Sequence, residues 1–371
     1  MENKITNNIT QLISDPTKII EKKYLVKGTI VFIMITVATF LTLFILNDID
    51  TLLDLIYQIK INFLLILSAL TAIDILLDTY RYHIIAKSLN PNIKFRLMFR
   101  ANMADSFGSA LTPFQIGGGA AMIYTLKRGG LSLANGLSVC IATFVISLLI
   151  ILFSSTISII LMQNHFSNFL IDHLLYYGLF SFLIVLIIIL FSLIKPDLIL
   201  NKINSCLLNR SKNSKLCFVR LFQLVEGLLK TCKGYNLICR QLIQSHPIIL
   251  FVSSIVTIIY YFNRFLIAYF LVIALGGSIT LPQIIGIQSL VLLFSYFAPT
   301  PGGSGFTEFS INTLMLKYLD GTQLFSFICF YRFILFYFYV IIGSFVIFSE
   351  LHFGLNKFNN KNHAIGEIRQ Y

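Results

Sequence analysis

Leu290-Val-Leu-Leu-Phe-Ser-Tyr-Phe-Ala-Pro-Thr-Pro-Gly-Gly-Ser-Gly-Phe-Thr-Glu308 is an apolar run that stops at two prolines and three glycines, after which apolar residues resume to Leu316. Proline removes a backbone donor, and glycine weakens a helix interior. The whole segment, Leu281 to Leu316, therefore reads as two half-helices joined by an unwound turn. Upstream, Leu97 to Tyr124 is interrupted in the same way by Pro113-Phe-Gln-Ile-Gly-Gly-Gly119. The interruptions share Pro-x-x-x-Gly-x-Gly at a displacement of 186 residues, and Arg81 precedes the first as Arg264 precedes the second, at a displacement of 183.

Composition fixes the solvent in which these segments sit. Of 371 residues, 57% are hydrophobic and 12% charged, with a mean hydropathy of +0.83, whereas soluble domains are about 25% charged. Several runs exceed the roughly 18 apolar residues that cross a bilayer as a helix. The chain reads as an all-α polytopic membrane protein.

The basic excess, 28 Lys and Arg against 16 Asp and Glu, is distributed as cytoplasmic loops are marked rather than as a nucleic-acid face. Residues 1–27 form a basic, cytoplasmic arm with no cleavage signal, and Gly28 to Leu46 reads as an uncleaved first span. Residues 28–194 form a first membrane half and 247–350 a second. Between them, 195–246 carries nine Lys or Arg against Asp197 and Glu226. That segment includes a helical-period stripe, Phe218, Leu221, Phe222, Val225, Leu228 and Leu229, that suits a basic interfacial helix. Residues 351–371 form a cytoplasmic tail. The six cysteines lack any C-x-x-C pair and read as reduced thiols, not a zinc site.

Both flanks of the first broken segment are basic (Lys94, Arg96 and Arg100 before, Lys127 and Arg128 after), so 97–126 is expected to enter and leave on the cytoplasmic side. Few charges flank the second, 281–318, which the orientation of the last span makes enter from outside. About six full spans, near Ile61 to Leu77, Leu131 to Met162, Pro247 to Leu275 and Thr322 to Ser349 among them, plus two re-entrant hairpins give eight membrane segments in an inverted-topology repeat.

Helix ends at such breaks expose N–H groups that suit an anion, and glycine permits its close approach. The candidate substrate-binding residues are Arg81, Pro113, Gly117, Gly118, Arg128, Arg264, Pro301, Gly302, Gly303, Gly305, Glu308 and Arg332. Arg264 and Arg332 fall inside apolar runs, where charge is costly unless paired, and Glu308 is the expected partner. Arg81, Arg100 and Arg128 can face the site or snorkel to the surface. Asp74, Asp78 and Arg81 lie on one helical face and suit a structural ion pair, with Asp105 in a similar position. Tyr260, Tyr261, Tyr331 and Tyr337 can contact a headgroup or pack. No catalytic residue, metal or cofactor is expected, and no G-x-x-x-x-G-K-[ST] loop for ATP is present.

Ala298-Pro-Thr-Pro-Gly-Gly-Ser-Gly-Phe-Thr-Glu308, with Leu111-Thr-Pro113, Gly117-Gly118 and Lys127-Arg-Gly129, resembles the lysylphosphatidylglycerol synthase transmembrane-region family over about Ile61 to Ser349. The family includes lipid-flipping domains and stand-alone members. The resemblance implies a flippase that moves an anionic phospholipid or polyprenyl-linked lipid across a prokaryotic cytoplasmic membrane, with both termini inside. It departs from the family where an acidic residue often follows the first glycine pair, since Gly119 and Ala120 stand there. The soluble aminoacyl-transfer domain of full-length synthases is not expected. Two alternatives remain. One is a membrane glycosyltransferase using Asp48-Ile49-Asp50 with a lipid-phosphate donor; the other is an accessory subunit of a cell-envelope enzyme.

Overall fold

The computed structural model describes residues 59–162, 244–296 and 298–349, with isolated helical positions at 30, 34, 180, 183, 184 and 187. The Asp48–Asp50 triplet, the first span, most of 163–243 and the C-terminal tail lie outside the described residues. All regular structure among the described residues is helical.

The same succession of elements occurs twice. In the first half α1 (Ile61–Leu89) leads to α2 (Phe95–Leu111), a 3₁₀ turn (Pro113–Gln115), α3 (Ile116–Arg128) and α4 (Leu133–Met162). In the second, α5 (Pro247–Ala274) leads to α6 (Leu281–Tyr296), a 3₁₀ turn (Pro301–Gly303), α7 (Phe306–Met315) and α8 (Gly321–Ser349). The helices α1, α4, α5 and α8 are each long and apolar enough to cross a membrane. Their outward positions are large and apolar: Leu65, Phe153, Phe251 and Phe345 are all more than 60% exposed. An apolar exterior of this kind on polytopic helices meets lipid, not water. Hydroxyls inside the bundle are hidden by bonds to the carbonyl one turn back, as in Thr71 to Leu67, Thr143 to Val139 and Thr257 to Ser253.

The span starting at Ile61 runs to Leu89, twelve residues beyond the expected end at Leu77. It continues because its charges are buried and paired, so Asp74, Asp78 and Arg81 do not force it into water.

Each hairpin stands beside a different end of α1. The base of the first, with Ile93 and Leu131, joins Ile85 and Ala86 of the C-terminal part of α1 in one cluster. The base of the second, with Leu275 and Leu319, belongs to the cluster that holds Ile59 and Leu67. The two turns touch: Phe114 N donates to Ala298 O at 3.2 Å, and the Gln115 side-chain amide donates to Ser295 O at 3.2 Å.

The first interruption differs in part from the sequence expectation. Glycines 117 to 119 are helical, within α3. The first turn is instead Thr112-Pro113-Phe114-Gln115, with an extended Thr112 and left-handed Phe114 (φ 54°) and Gln115 (φ 57°). Its counterpart is Thr300-Pro301-Gly302-Gly303, with an extended Thr300 and φ of 60° and 66° at the glycines. The structural match thus pairs Pro113 with Pro301, not Pro299. Arg81 and Arg264 stand 32 and 37 residues ahead of those prolines, more than one helical turn out of register.

Candidate functional site

A cavity of about 170 Å³ lies where the two turns meet. That is well above the roughly 10–15 Å³ that one water needs. Both halves line it: Asp78, Arg81 and Tyr82 from α1, Asp105, Ser106 and Ser109 from α2, Gln115 and Gly302 from the turns, Tyr260 and Arg264 from α5, Ser295 and Tyr296 from α6, and Tyr331, Arg332, Phe336 and Tyr339 from α8.

Three ion pairs frame it, two of them with both partners buried. Arg81 meets Asp78 through Nε and Nη2 at 2.7 Å, and its Nη1 reaches Ser147 Oγ at 2.5 Å. Arg264 Nε meets Asp74 Oδ2 at 3.2 Å, and Asp74 also accepts from Asn263 and from the Tyr339 hydroxyl. Arg332 grips Glu308 with Nε at 2.7 Å and Nη2 at 2.9 Å, the bidentate arrangement that a planar guanidinium favours. Its remaining bonds go to Gly303 O at 3.0 Å and Gly302 O at 3.2 Å. Arg332 therefore fastens α8 to the second turn and satisfies carbonyls that the unwound backbone leaves unpaired.

Glu308 is thereby the partner of Arg332 and not of Arg264, whose carboxylate is Asp74. Glu308 also closes a capping contact by accepting from Gly305 N–H at 2.7 Å. At the first turn Thr112 Oγ1 takes the Gly117 N–H at 2.7 Å. Two of the N–H groups nominated for an anion are thus held by side chains of the same hairpin.

Arg81 does not snorkel: it is 5% exposed, and its guanidinium lies 4.5 Å from the Tyr260 ring centroid. Arg264 lies 4.7 Å from the same ring, so one tyrosine carries an arginine from each half. Arg264 differs from the other two arginines in that its side chain is 19% exposed and its only hydrogen bond among the described residues is through Nε. Arg128 and Arg100 stand outside the cavity. Arg128 lies over Tyr124 at the end of α3, and Arg100 reaches Ser349 at 3.4 Å.

Pro113 and Pro301 each open a turn, Gly302 lines the cavity, and Gly303 and Gly305 give the second turn and the start of α7 their positive φ. Gly117 and Gly118 serve close packing instead. A Cβ added at Gly118 would stand 2.0 Å from Ser109 Oγ, and one at Gly117 2.7 Å from Gly108 O. Of the nominated tyrosines, Tyr260 and Tyr331 line the cavity, Tyr261 bonds Tyr296 at 3.2 Å, and Tyr337 lies in a π-helical turn, Phe333–Tyr337. Sequence reasoning did not nominate Asp105, Gln115 or Tyr339 for the site. Gln115 was detectable only as a polar residue at the interruption.

Apolar spans surrounding a cavity lined by charged and polar side chains define a multi-pass membrane protein with a polar interior site. A family described as Lysylphosphatidylglycerol synthase TM region matches residues 29–343, and the chain belongs to that family, which ties it to lipid handling. No curated protein matches the chain.

Proposed function

We propose that the protein moves a phospholipid or polyprenyl-linked lipid between the leaflets of a prokaryotic cytoplasmic membrane, by transport and not by catalysis. The observation that carries this reading is the cavity at the touching turns, walled by both halves and framed by three ion pairs. In this reading the two interrupted segments are re-entrant hairpins of an inverted repeat, inserted from opposite faces, with both termini cytoplasmic. Their placement beside opposite ends of α1 supports that arrangement, as does the concentration of Lys87, Lys94, Arg96, Arg100, Lys127 and Arg128 around the first hairpin's base. Arg264 receives the headgroup phosphate, since it lines the cavity and its Nη groups make no hydrogen bond among the described residues. Rocking of one half against the other parts the turns and exposes the site to alternate sides.

The test is exchange of labelled phosphatidylglycerol, its aminoacyl forms and polyprenyl phosphates in proteoliposomes. The native chain is expected to accelerate one lipid class over empty vesicles, and Arg264→Gln to slow it at least about tenfold, the effect of losing about 1.4 kcal/mol of binding. No acceleration of any lipid by folded protein would sink the reading in favour of an enzyme or accessory role.

A further inference from the structure

Four carboxylates stand in or around the cavity, and three have an arginine each: Asp78 with Arg81, Asp74 with Arg264, Glu308 with Arg332. The fourth, Asp105, lines the cavity from α2 and makes no hydrogen bond or ion pair among the described residues. The interior site thus holds one carboxyl group with no ion-pair partner among the described residues. Such a group is expensive within a membrane when ionised unless something positive meets it. Space is kept for it, too: a Cβ at Gly118 would stand 2.7 Å from Asp105 Oδ1, so the glycine face of α3 is what leaves the carboxylate room.

The other charged groups facing the cavity are Asp78 and Arg81 on α1, Arg264 on α5 and Arg332 on α8. Each already has its ion-pair partner. The titratable phenols around them, Tyr82, Tyr260, Tyr296, Tyr331 and Tyr339, are neutral at physiological pH and supply no counter-charge.

We propose that Asp105 is the binding site of an exchangeable monovalent cation, a proton or a sodium ion, that loads and unloads in step with the lipid. The coupling rests on the transport reading above, whereas the binding site does not, and two readouts keep them apart. The first is thermal unfolding of the full chain in detergent, in sodium against choline chloride and at acidic against alkaline pH. The native protein is expected to gain stability with one of these cations. Asp105→Asn, which must itself show a cooperative transition, is expected to lose that gain. An Asp105→Asn protein that keeps the full cation-dependent shift overturns the site.

The second is lipid exchange in proteoliposomes under a pH gradient or a sodium gradient, with the membrane potential clamped. A gradient of about one pH unit, or about tenfold in sodium, drives up to about tenfold lipid asymmetry if one cation moves per lipid. The arm that responds identifies the cation, and Asp105→Asn is expected to abolish the response. If the native chain responds to neither gradient and instead prefers amine-bearing headgroups in an Asp105-dependent way, the positive charge belongs to the lipid and the proposal fails. A stability shift that depends on Asp105, without lipid exchange under any gradient, leaves the cation site standing and removes the transport reading.

Discussion

Arg332 and Glu308 form a bidentate ion pair at the site, and both are buried. Removing one partner of such a pair strands the other, at a cost of about 3–5 kcal/mol. Glu308→Gln is therefore expected to lower the unfolding temperature sharply, and Glu308→Gln with Arg332→Gln to cost less than the two single losses together, as a double-mutant cycle by thermal unfolding checks. Phe114 and Gln115 tell a different story. Both hold the left-handed conformation, which costs an L-residue about 1–2 kcal/mol. Phe114→Gly relieves that strain, at an entropic cost of about 0.5–1 kcal/mol, and is expected to leave stability unchanged or raised, measured in the same way. Gln115→Gly sheds its strain but also loses the bond to Ser295, and should not gain. The sequence marked Glu308 and Arg332 because both interrupt apolar runs. It mispaired Arg264 because the true partner, Asp74, is 190 residues away on a helix whose contact with α5 no local spacing reveals.

At the scale of elements, the first hairpin is held closed by its glycines. Gly118 packs into α2 with no room for a methyl group, whereas nothing lies within 4 Å of a Cβ added at Gly119. Gly118→Ala is expected to destabilise by about 1–3 kcal/mol through overpacking. Gly119→Ala is expected to stabilise by up to about 1 kcal/mol through helix propensity. Thermal unfolding of the pair, one position apart, separates contact from propensity. Both interruptions were legible, because proline and glycine inside long apolar runs mark lost helix. The second lies where it was expected, whereas the first is confined to the proline end of the expected break. Three consecutive glycines look like the weakest point of the first segment, yet they are helical, with α2 close against Gly117 and Gly118, and the chain turns at Pro113, Phe114 and Gln115 instead. The end of α1 was misplaced for a related reason: a hydropathy reading counts Asp78 and Arg81 as two charges, and the folded protein buries them as a pair.

For the whole molecule, the apolar exterior and the doubled order of elements followed from composition and from the paired interruptions, whereas the cavity emerged only when helices far apart in sequence were brought together. If the two halves must part for lipid to pass, joining them at the turns stops transport. Gln115→Cys with Ser295→Cys, in a background without other cysteines, is expected to lose lipid exchange on treatment with a short bifunctional thiol reagent. Each single variant should keep it; cross-linked protein that still exchanges lipid would show that the turns need not separate. The join itself is made from one backbone amide, two carbonyls and a single side-chain amide. A contact written largely in the main chain outlives the residues that form it: Phe-Gln in one copy and Gly-Gly in the other trace the same turn. Two copies of such a turn can therefore differ at nearly every side chain while the place where they clasp each other stays put.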